Sequence, residues 1–268
     1  MGGRMGRNGD SIVMMKEDHH RDRLSEEAFI EWLKREGSRR YHDRHPFHEL
    51  MHKGQLTEAQ LQQWVLNRYY YQTRIPIKDA LIVSKSEDPT FRRMWLRRVR
   101  DHDGEQEGGG GLALWVELAR GVGLDADEVR NFRNVLPGVR LACDEYVRFV
   151  REAPLLEAVA SSLTELFAPS LMARRLEAWK RHYPWVRQES LEYFQRRISR
   201  ATLDSNQAVE FVVRQATTYA LQEGCVRALV KKADILWAML DHLSLAYVQT
   251  GTEHKRTTHG SHHSQASA

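Results

Sequence analysis

Apolar residues recur along most of the chain at the three- and four-residue spacing of an α-helix. Phe29 and Leu33 share one such face behind Ser25, a residue type that commonly caps a helix start. Thr57 and Gln60 have the spacing of a capping box ahead of the next apolar stripe. No stretch alternates apolar and polar residues over a useful length, so the pattern predicts an all-α protein.

Turn-forming residues divide this pattern into about seven helices. Asp88 and Pro89 predict a helix cap and first helical residue, and the Gly-rich segment 104–111 predicts a loop. Pro76 lies inside the helix that follows Thr57 and is expected to kink or end it. Later helices are predicted over 137–152, 154–180, 187–202 and 205–248.

The composition is that of one globular domain. The chain has 268 residues, of which 41% are hydrophobic and 28% charged, with only 17 Gly and 7 Pro. These values disfavour collagen, Pro-rich linkers and turn-rich β folds. We expect a single helical domain over 24–249, between polar tails over 1–23 and 250–268.

Charge and cysteine usage exclude further classes of protein. The net charge is +4 and acidic residues are interleaved with basic ones, so nucleic acid is not an expected partner. Cys143 and Cys225 cannot form a disulfide framework or a four-thiolate metal site. No apolar run has the length of a membrane span and the first residues lack a secretory apolar region, so we expect a cytoplasmic protein without a membrane partner.

Three groups of polar residues recur at helical spacing beside apolar ones. They are Arg68, Tyr71 and Gln72; Arg98 and His102; and Tyr193 and Arg197. Lys78 and Lys232 stand next to apolar runs, and Glu165 lies inside one, where a charge needs a partner. Each feature alone is typical of surface stacking, a helix cap or an internal salt bridge. Together they predict a cavity for a small molecule with several carboxylates, in which a His would be the natural general base.

Several stretches of the sequence closely resemble one known family. They are YHDRHPFHELMHKGQLTEAQLQQWVLNRYYYQTRIPIKDA from residue 41, RRVRDHDGEQEGGGGLALW from residue 97, SSLTELFAP from residue 161 and KKADILWAMLDHLSLAY from residue 231. The family is PqqC, the pyrroloquinoline-quinone synthases. The resemblance runs in order over residues 25–248, so it is more specific than any short motif.

The resemblance implies a seven-helix bundle of the haem-oxygenase-like fold that forms homodimers. It implies the final step of pyrroloquinoline-quinone (PQQ) formation, in which O2 drives ring closure and eight-electron oxidation of a bicyclic amino-acid quinone (AHQQ) and H2O2 is released. It also implies that no metal or organic cofactor takes part. This fits a sequence without a phosphate-binding loop, a dinucleotide glycine motif or a flavin motif.

Pocket residues of the family fall on defined positions of this chain. The resemblance places His102 beside the quinone for proton transfer, and Tyr193 and Arg197 at the oxygen or peroxide site. The substrate contacts that it implies are Tyr41, His42, Arg68, Tyr71, Gln72, Lys78, Arg98, Tyr146, Glu165, Met172, Arg175 and Lys232.

One of these positions departs from the family. The family motif reads APQIHQSR, whereas this chain reads APSLMARR from residue 168, so Met172 stands where the family has a pocket His. A Met side chain can neither donate a hydrogen bond nor shuttle a proton. A compensating group or water, a slower oxygen step and a shifted substrate are three outcomes that the sequence leaves open.

Two other functions remain open at this point. A haem-oxygenase-like di-iron oxidase needs Glu and His ligands, and Glu49 and His52 have a Glu-x-x-His spacing. Against it, Arg197 stands where a late ligand would be expected, and Arg cannot ligate iron. A non-catalytic protein that binds a quinone or a carboxylate-rich ligand is favoured by Met172. Iron content, and turnover against stoichiometric binding, distinguish these functions.

Overall fold

The structure, a computed structural model, describes residues 22–249, and within that span it contains helices and no strand. The all-α prediction is therefore confirmed. The predicted tails fall almost entirely outside the described residues. The helices are α1 (Glu26–Arg40), α2 (Pro46–His52), α3 (Glu58–Ser84), α4 (Pro89–Asp103), α5 (Gly110–Gly121), α6 (Ala126–Arg130), α7 (Pro137–Glu152), α8 (Leu155–Ser161), α9 (Ala168–His182), α10 (Glu192–Gln215) and α11 (Tyr219–Ser244).

The described span holds more separate helices than the seven predicted, for two reasons. Helices α2, α6 and α8 contain only 7, 5 and 7 residues and leave little periodic signal. In addition, the stretch predicted as one helix over 154–180 is α8 and α9 separated by a 3₁₀ segment, Ser162–Phe167. That segment carries Glu165 into the interior of the bundle.

The predicted helix starts are confirmed. The Ser25 hydroxyl accepts from the Ala28 N–H at the start of α1. Thr57 and Gln60 form the reciprocal capping box of α3, which satisfies two N–H groups that the helix leaves without partners. The Asp88 carboxylate accepts from the Thr90 N–H at the start of α4.

Two predicted helix ends are absent. Helix α3 does not end at Pro76 but continues to Ser84, and it packs against α4 and α7. The break predicted at 202–205 is also absent. The Asp204 carboxylate ion-pairs with Arg98 and Arg197 inside the protein, so it does not cap a helix. The break instead precedes α11, where the Thr218 hydroxyl accepts from the Leu221 N–H.

Helix α3 is the centre of the bundle and packs against α4, α5 and α7. Three tryptophans from different helices meet around it: the Trp64 ring centroid lies 5.6 Å from that of Trp115 and 5.8 Å from that of Trp179. These large apolar surfaces supply much of the burial that stabilises the fold. The same helix carries Arg68 and Gln72, both buried, towards the space between α9, α10 and α11.

One stretch, Leu155–His182, has the length and mean hydropathy, 1.2, of a membrane-crossing segment. Half of its most apolar window is buried inside the protein, and the 3₁₀ turn interrupts its α-helical hydrogen bonding. Packing in the core accounts for this hydropathy.

We predict that Gly121→Ala destabilises the protein by about 1–3 kcal/mol through overpacking. A Cβ atom at Gly121 would lie 1.9 Å from the Oγ atom of buried Ser190, in the turn that leads into α10. Urea unfolding measures the change. Gly224→Ala is the matched control, because its Cβ meets only the ends of flexible side chains, Glu157 at 3.1 Å and Arg227 at 3.7 Å. Equal stability of the two variants would contradict the packing argument, and adding Ser190→Gly to Gly121→Ala should restore stability.

Candidate active site

A cavity of about 70 Å³ lies in the middle of the bundle, between α3, α4, α5, α9, α10 and α11. Most of the residues predicted to form a site line it. These are Tyr41, His42, Arg68, Tyr71, Gln72, His102, Glu165, Met172, Arg175, Tyr193 and Arg197. The residues chosen by helical spacing and those implied by the family resemblance therefore come together from six separate segments of the chain.

Four predicted residues lie behind the cavity lining. They are Lys78, Arg98, Tyr146 and Lys232, all buried. The Arg98 guanidinium donates to the lining carboxylate of Glu165 at 2.7 Å, and the Lys232 ammonium nitrogen lies 4.3 Å from the ring centroid of lining Tyr71. Lys78, Arg98 and Lys232 therefore place positive charge around the cavity without forming its wall.

Sequence reasoning missed several lining residues and one buried acid. The missed lining residues are Ile75, Trp115, Thr164, Ala168 and Leu236, which are mostly apolar and look like ordinary core positions. The missed acid is Asp204, which ion-pairs with Arg197 at 3.7 Å and is buried. Its position seven residues after Arg197, on the same face of α10, is the sequence signal that could have found it.

Two carboxylates hold the arginines on one side of the cavity. Arg98 bonds to the Glu165 carboxylate at 2.7 Å, donates to the backbone carbonyl of Asp204, and has its Nε atom 3.9 Å from the Asp204 carboxylate. Burial raises the pKa of Glu165, but Arg98, Lys78 and Arg197 outweigh burial and hold that pKa below its usual value. Glu165 is therefore a carboxylate committed to structural ion pairs.

The cations on the other side of the cavity have no anionic partner among the described residues. The Arg68 guanidinium contacts the Met239 sulfur at 3.9 Å and stacks over the Tyr71 ring at 4.0 Å. The Arg175 guanidinium contacts the Met172 sulfur at 3.8 Å and a ring nitrogen of His48, and it lies 4.7 Å from the centroid of the Trp64 ring.

Lys232 is the third such group. Its ammonium nitrogen has no hydrogen-bond partner and lies 3.4 Å from the Tyr146 ring centroid. Burial, with Arg68 next, lowers the pKa of Lys232 well below its usual value, and the same two causes lower the pKa of Arg175 to about 9. An unpaired buried cation is unfavourable, so these groups favour an anionic ligand.

His102 has the protonation state of a general base. Its Nδ1 atom is 3.0 Å from the Arg98 carbonyl oxygen, which can only accept, so Nδ1 carries the proton and Nε2 keeps its lone pair. Burial, followed by the positive charge of Arg197, lowers the pKa of His102 to about 4. The imidazole is therefore neutral near pH 7 and lies in the cavity wall.

Tyr193 and Arg197 stand side by side on α10, one turn apart. The Tyr193 hydroxyl donates to the Gln72 side chain at 2.9 Å, and burial raises the pKa of this phenol, so it remains protonated. Both residues also line a second, outer cavity of about 490 Å³ next to the glycine-rich loop. They therefore form the wall between the inner cavity and this outer one.

Comparison with known proteins fits this geometry. The model of the TENA/THI-4/PQQC family matches residues 33–242. A pyrroloquinoline-quinone synthase of Rhizobium rhizogenes is 48% identical over 84% of this chain and 91% of its own length, and one of Acidiphilium cryptum is 47% identical over 82% and 89%. This chain belongs to the TENA/THI-4/PQQC family.

Solved structures show the same fold at low sequence identity. A TenA homologue from Pseudomonas syringae matches with a TM-score of 0.66 and 13% identity, covering 83% of this chain and 98% of its own. A domain from Shewanella denitrificans with a heme oxygenase-like fold matches with a TM-score of 0.67 and 12% identity, covering 91% and 99%. The haem-oxygenase-like architecture expected from the sequence is confirmed.

The residues proposed for a di-iron site do not converge on the cavity. Glu49 ion-pairs at the surface with Lys53, at 3.4 Å, and neither Glu49 nor His52 is among the cavity residues. No three His, Cys, Asp or Glu side chains among residues 22–249 are grouped as metal ligands. Within the cavity, Glu165 is bound by Arg98. This arrangement of donors does not fit a di-iron centre of the family fold.

We predict that Lys232→Met stabilises the ligand-free protein by about 1–3 kcal/mol at pH 7, because it removes a buried, unpaired ionisable group. The pKa of Lys232 is lower in the folded protein than in the unfolded chain. At a pH between these two pKa values the unfolded chain binds more protons than the folded protein, so the destabilisation caused by Lys232 grows as the pH falls through this range. The gain should therefore be larger at pH 7 than at pH 9 in urea unfolding.

Lys231→Met is the matched control for this prediction. Lys231 is the adjacent residue, but it is half exposed and ion-pairs with Glu145 at 2.9 Å. It should show no pH-dependent gain. A Lys232→Met protein that is no more stable than wild type at pH 7 would contradict the assignment of Lys232 as an unpaired buried amine.

Proposed function

We propose that this chain catalyses the final step of PQQ synthesis, the ring closure and oxidation of a bicyclic amino-acid quinone by O2. The observation that carries the proposal is the set of buried, unpaired cations, Arg68, Arg175 and Lys232, around a cavity with a neutral His. Its chemistry is that of the relatives named pyrroloquinoline-quinone synthase, which are nearly half identical to this chain.

The substrate's carboxylates would bind Arg68 and Arg175 in the cavity wall, and Lys232, behind the Tyr71 ring, would add its positive charge from outside the wall. Arg68 and Arg175 offer planar guanidinium groups suited to bidentate contact, and Lys232 offers a single ammonium. A nearby carboxylate would raise the lowered pKa of Lys232 towards its usual value. Tyr71 and Gln72 supply hydroxyl and amide groups for the quinone oxygens.

His102 would act as the general base. The substrate amine first adds to a quinone carbonyl and closes the new ring. The Nε2 atom of His102 then removes a proton from ring carbon, and the electrons move into the quinone to give a quinol-like species. The cations around the cavity stabilise the negative charge that develops on the quinone oxygens.

Oxygen chemistry would take place beside Tyr193 and Arg197. The reduced substrate gives its electrons to O2, which leaves as H2O2, so no step of the proposal requires a metal or an organic cofactor. A protonated phenol and a guanidinium are suited to hold a peroxide anion as it forms. The cytoplasmic location, the homodimer and the absence of a nucleic-acid or membrane partner remain predictions from the sequence.

The direct test incubates purified protein with AHQQ in air and follows PQQ and H2O2 by absorbance and mass spectrometry. Many PQQ molecules per chain support the proposal. Binding of one quinone per chain without turnover would favour the binding-protein alternative instead. Loss of activity on removal of iron, with recovery on its return, would favour the di-iron oxidase.

We predict that His102→Ala reduces turnover by at least about 10²-fold while the chain still binds PQQ, because only the proton transfer is lost. His182→Ala, at the exposed end of α9, is the control and should keep full activity. Unchanged turnover in His102→Ala would rule out the assigned base.

The pH dependence gives a second prediction for the same residue. A base must be deprotonated, and the pKa of His102 in the free enzyme is lowered to about 4. The acid limb of kcat/KM should therefore fall near pH 4, well below the ordinary range of a His side chain. An acid limb near pH 6.5 that disappears in His102→Ala would contradict the neutral, buried base.

A further inference from the structure

Met172 places a thioether in the wall of the cavity. It lies on the second turn of α9, and the residue one turn before it, Ala168, is too small to cover it. It is 8% exposed, and it lines the same cavity as Tyr193 and Arg197, the residues proposed to hold oxygen. Among the described lining residues, Met172 alone carries sulfur.

A thioether at this position is exposed to H2O2, a strong two-electron oxidant. The proposed reaction forms H2O2 inside the same small cavity, where the effective concentration of peroxide at the sulfur is far above that in bulk solution. Methionine sulfur is readily converted to the sulfoxide by such oxidants. The Arg175 guanidinium lies 3.8 Å from the sulfur and can stabilise the oxygen that leaves as the peroxide bond breaks.

We propose that Met172 is a modification site at which the enzyme's own peroxide forms methionine sulfoxide during turnover. This inference rests on the proposed function. The sulfur lone pair attacks one peroxide oxygen, an S–O bond forms and the O–O bond breaks. The second oxygen leaves as hydroxide and takes up the proton that the new S–OH group loses, which gives water and the sulfoxide. The sulfur is thereby oxidised by two electrons and the peroxide is reduced by two.

The product would change the site through Arg175. A sulfoxide oxygen is a good hydrogen-bond acceptor, and the Arg175 Nε atom has no partner in the ligand-free structure. The new oxygen would compete with a substrate carboxylate for this guanidinium and occupy part of a cavity of about 70 Å³. Oxidation at Met172 would therefore slow the enzyme progressively, in proportion to the number of turnovers completed.

Met239 offers an internal control of matched chemistry. Its sulfur also contacts a pocket arginine, with 3.9 Å between it and a terminal nitrogen of Arg68. Met239 is only 1% exposed and does not line the cavity. The two thioethers thus differ in access to the cavity and resemble each other in their charged neighbour.

The experiment runs multiple turnovers of AHQQ in air with catalase present, so that peroxide escaping into solution is destroyed. Peptide mass spectrometry then measures the added oxygen at each methionine, while PQQ is quantified in parallel. We expect Met172 sulfoxide to rise with PQQ formed and to exceed Met239 sulfoxide about tenfold or more. In Met172→Leu, the rate relative to its own initial value should decline less over the same number of turnovers.

The two readouts separate failure of this inference from failure of the proposed function. PQQ formation with Met172 unmodified, or oxidised no more than Met239, overturns the inference and leaves the function in place. Absence of PQQ overturns the function itself. A further arm adds the same total H2O2 without substrate or catalase; if it oxidises Met172 as fully as turnover does, bulk peroxide is the source and the proposed in-cavity step is wrong.

Discussion

The cavity site of this protein depends on positively charged side chains that are buried without an anionic partner. Arg68, Arg175 and Lys232 lie in the core, and no carboxylate among the described residues pairs with them. Aromatic faces partly compensate: Tyr71 lies under the Arg68 guanidinium, and Tyr146 lies under the Lys232 ammonium. The apolar core offsets the remaining free-energy cost of burying these unpaired charges, and that cost is removed only when an anionic ligand binds.

The same charge divides the cavity into two chemically different halves. On one side, Glu165 and Asp204 neutralise Arg98 and Arg197 and fix them in place. The other side keeps its cations free for a ligand. His102 lies in the wall of the same cavity, where burial and Arg197 lower the pKa of its imidazole and keep it neutral. Stability, ligand binding and proton transfer are thus consequences of one distribution of charges.

The sequence predicted the helices more completely than the site. Capping residues such as Ser25 and Thr57 are local signals, so the starts of their helices were predictable. The spacing from Arg197 could have indicated Asp204, but its second contact, with Arg98 of α4, depends on packing between helices, which local spacing does not show. Lys232 was recognised as a site residue, but its position behind Tyr71 is decided by packing, and packing has no local sequence signature.

The most direct test of this account is a crystal structure of the chain with PQQ bound. The account predicts PQQ in the inner cavity, with its carboxylates within hydrogen-bonding distance of Arg68 and Arg175 and its ring system beside His102. A complex in which PQQ lies elsewhere, or in which these two arginines remain unpaired beside the bound quinone, would contradict the claim that they are held for an anionic ligand.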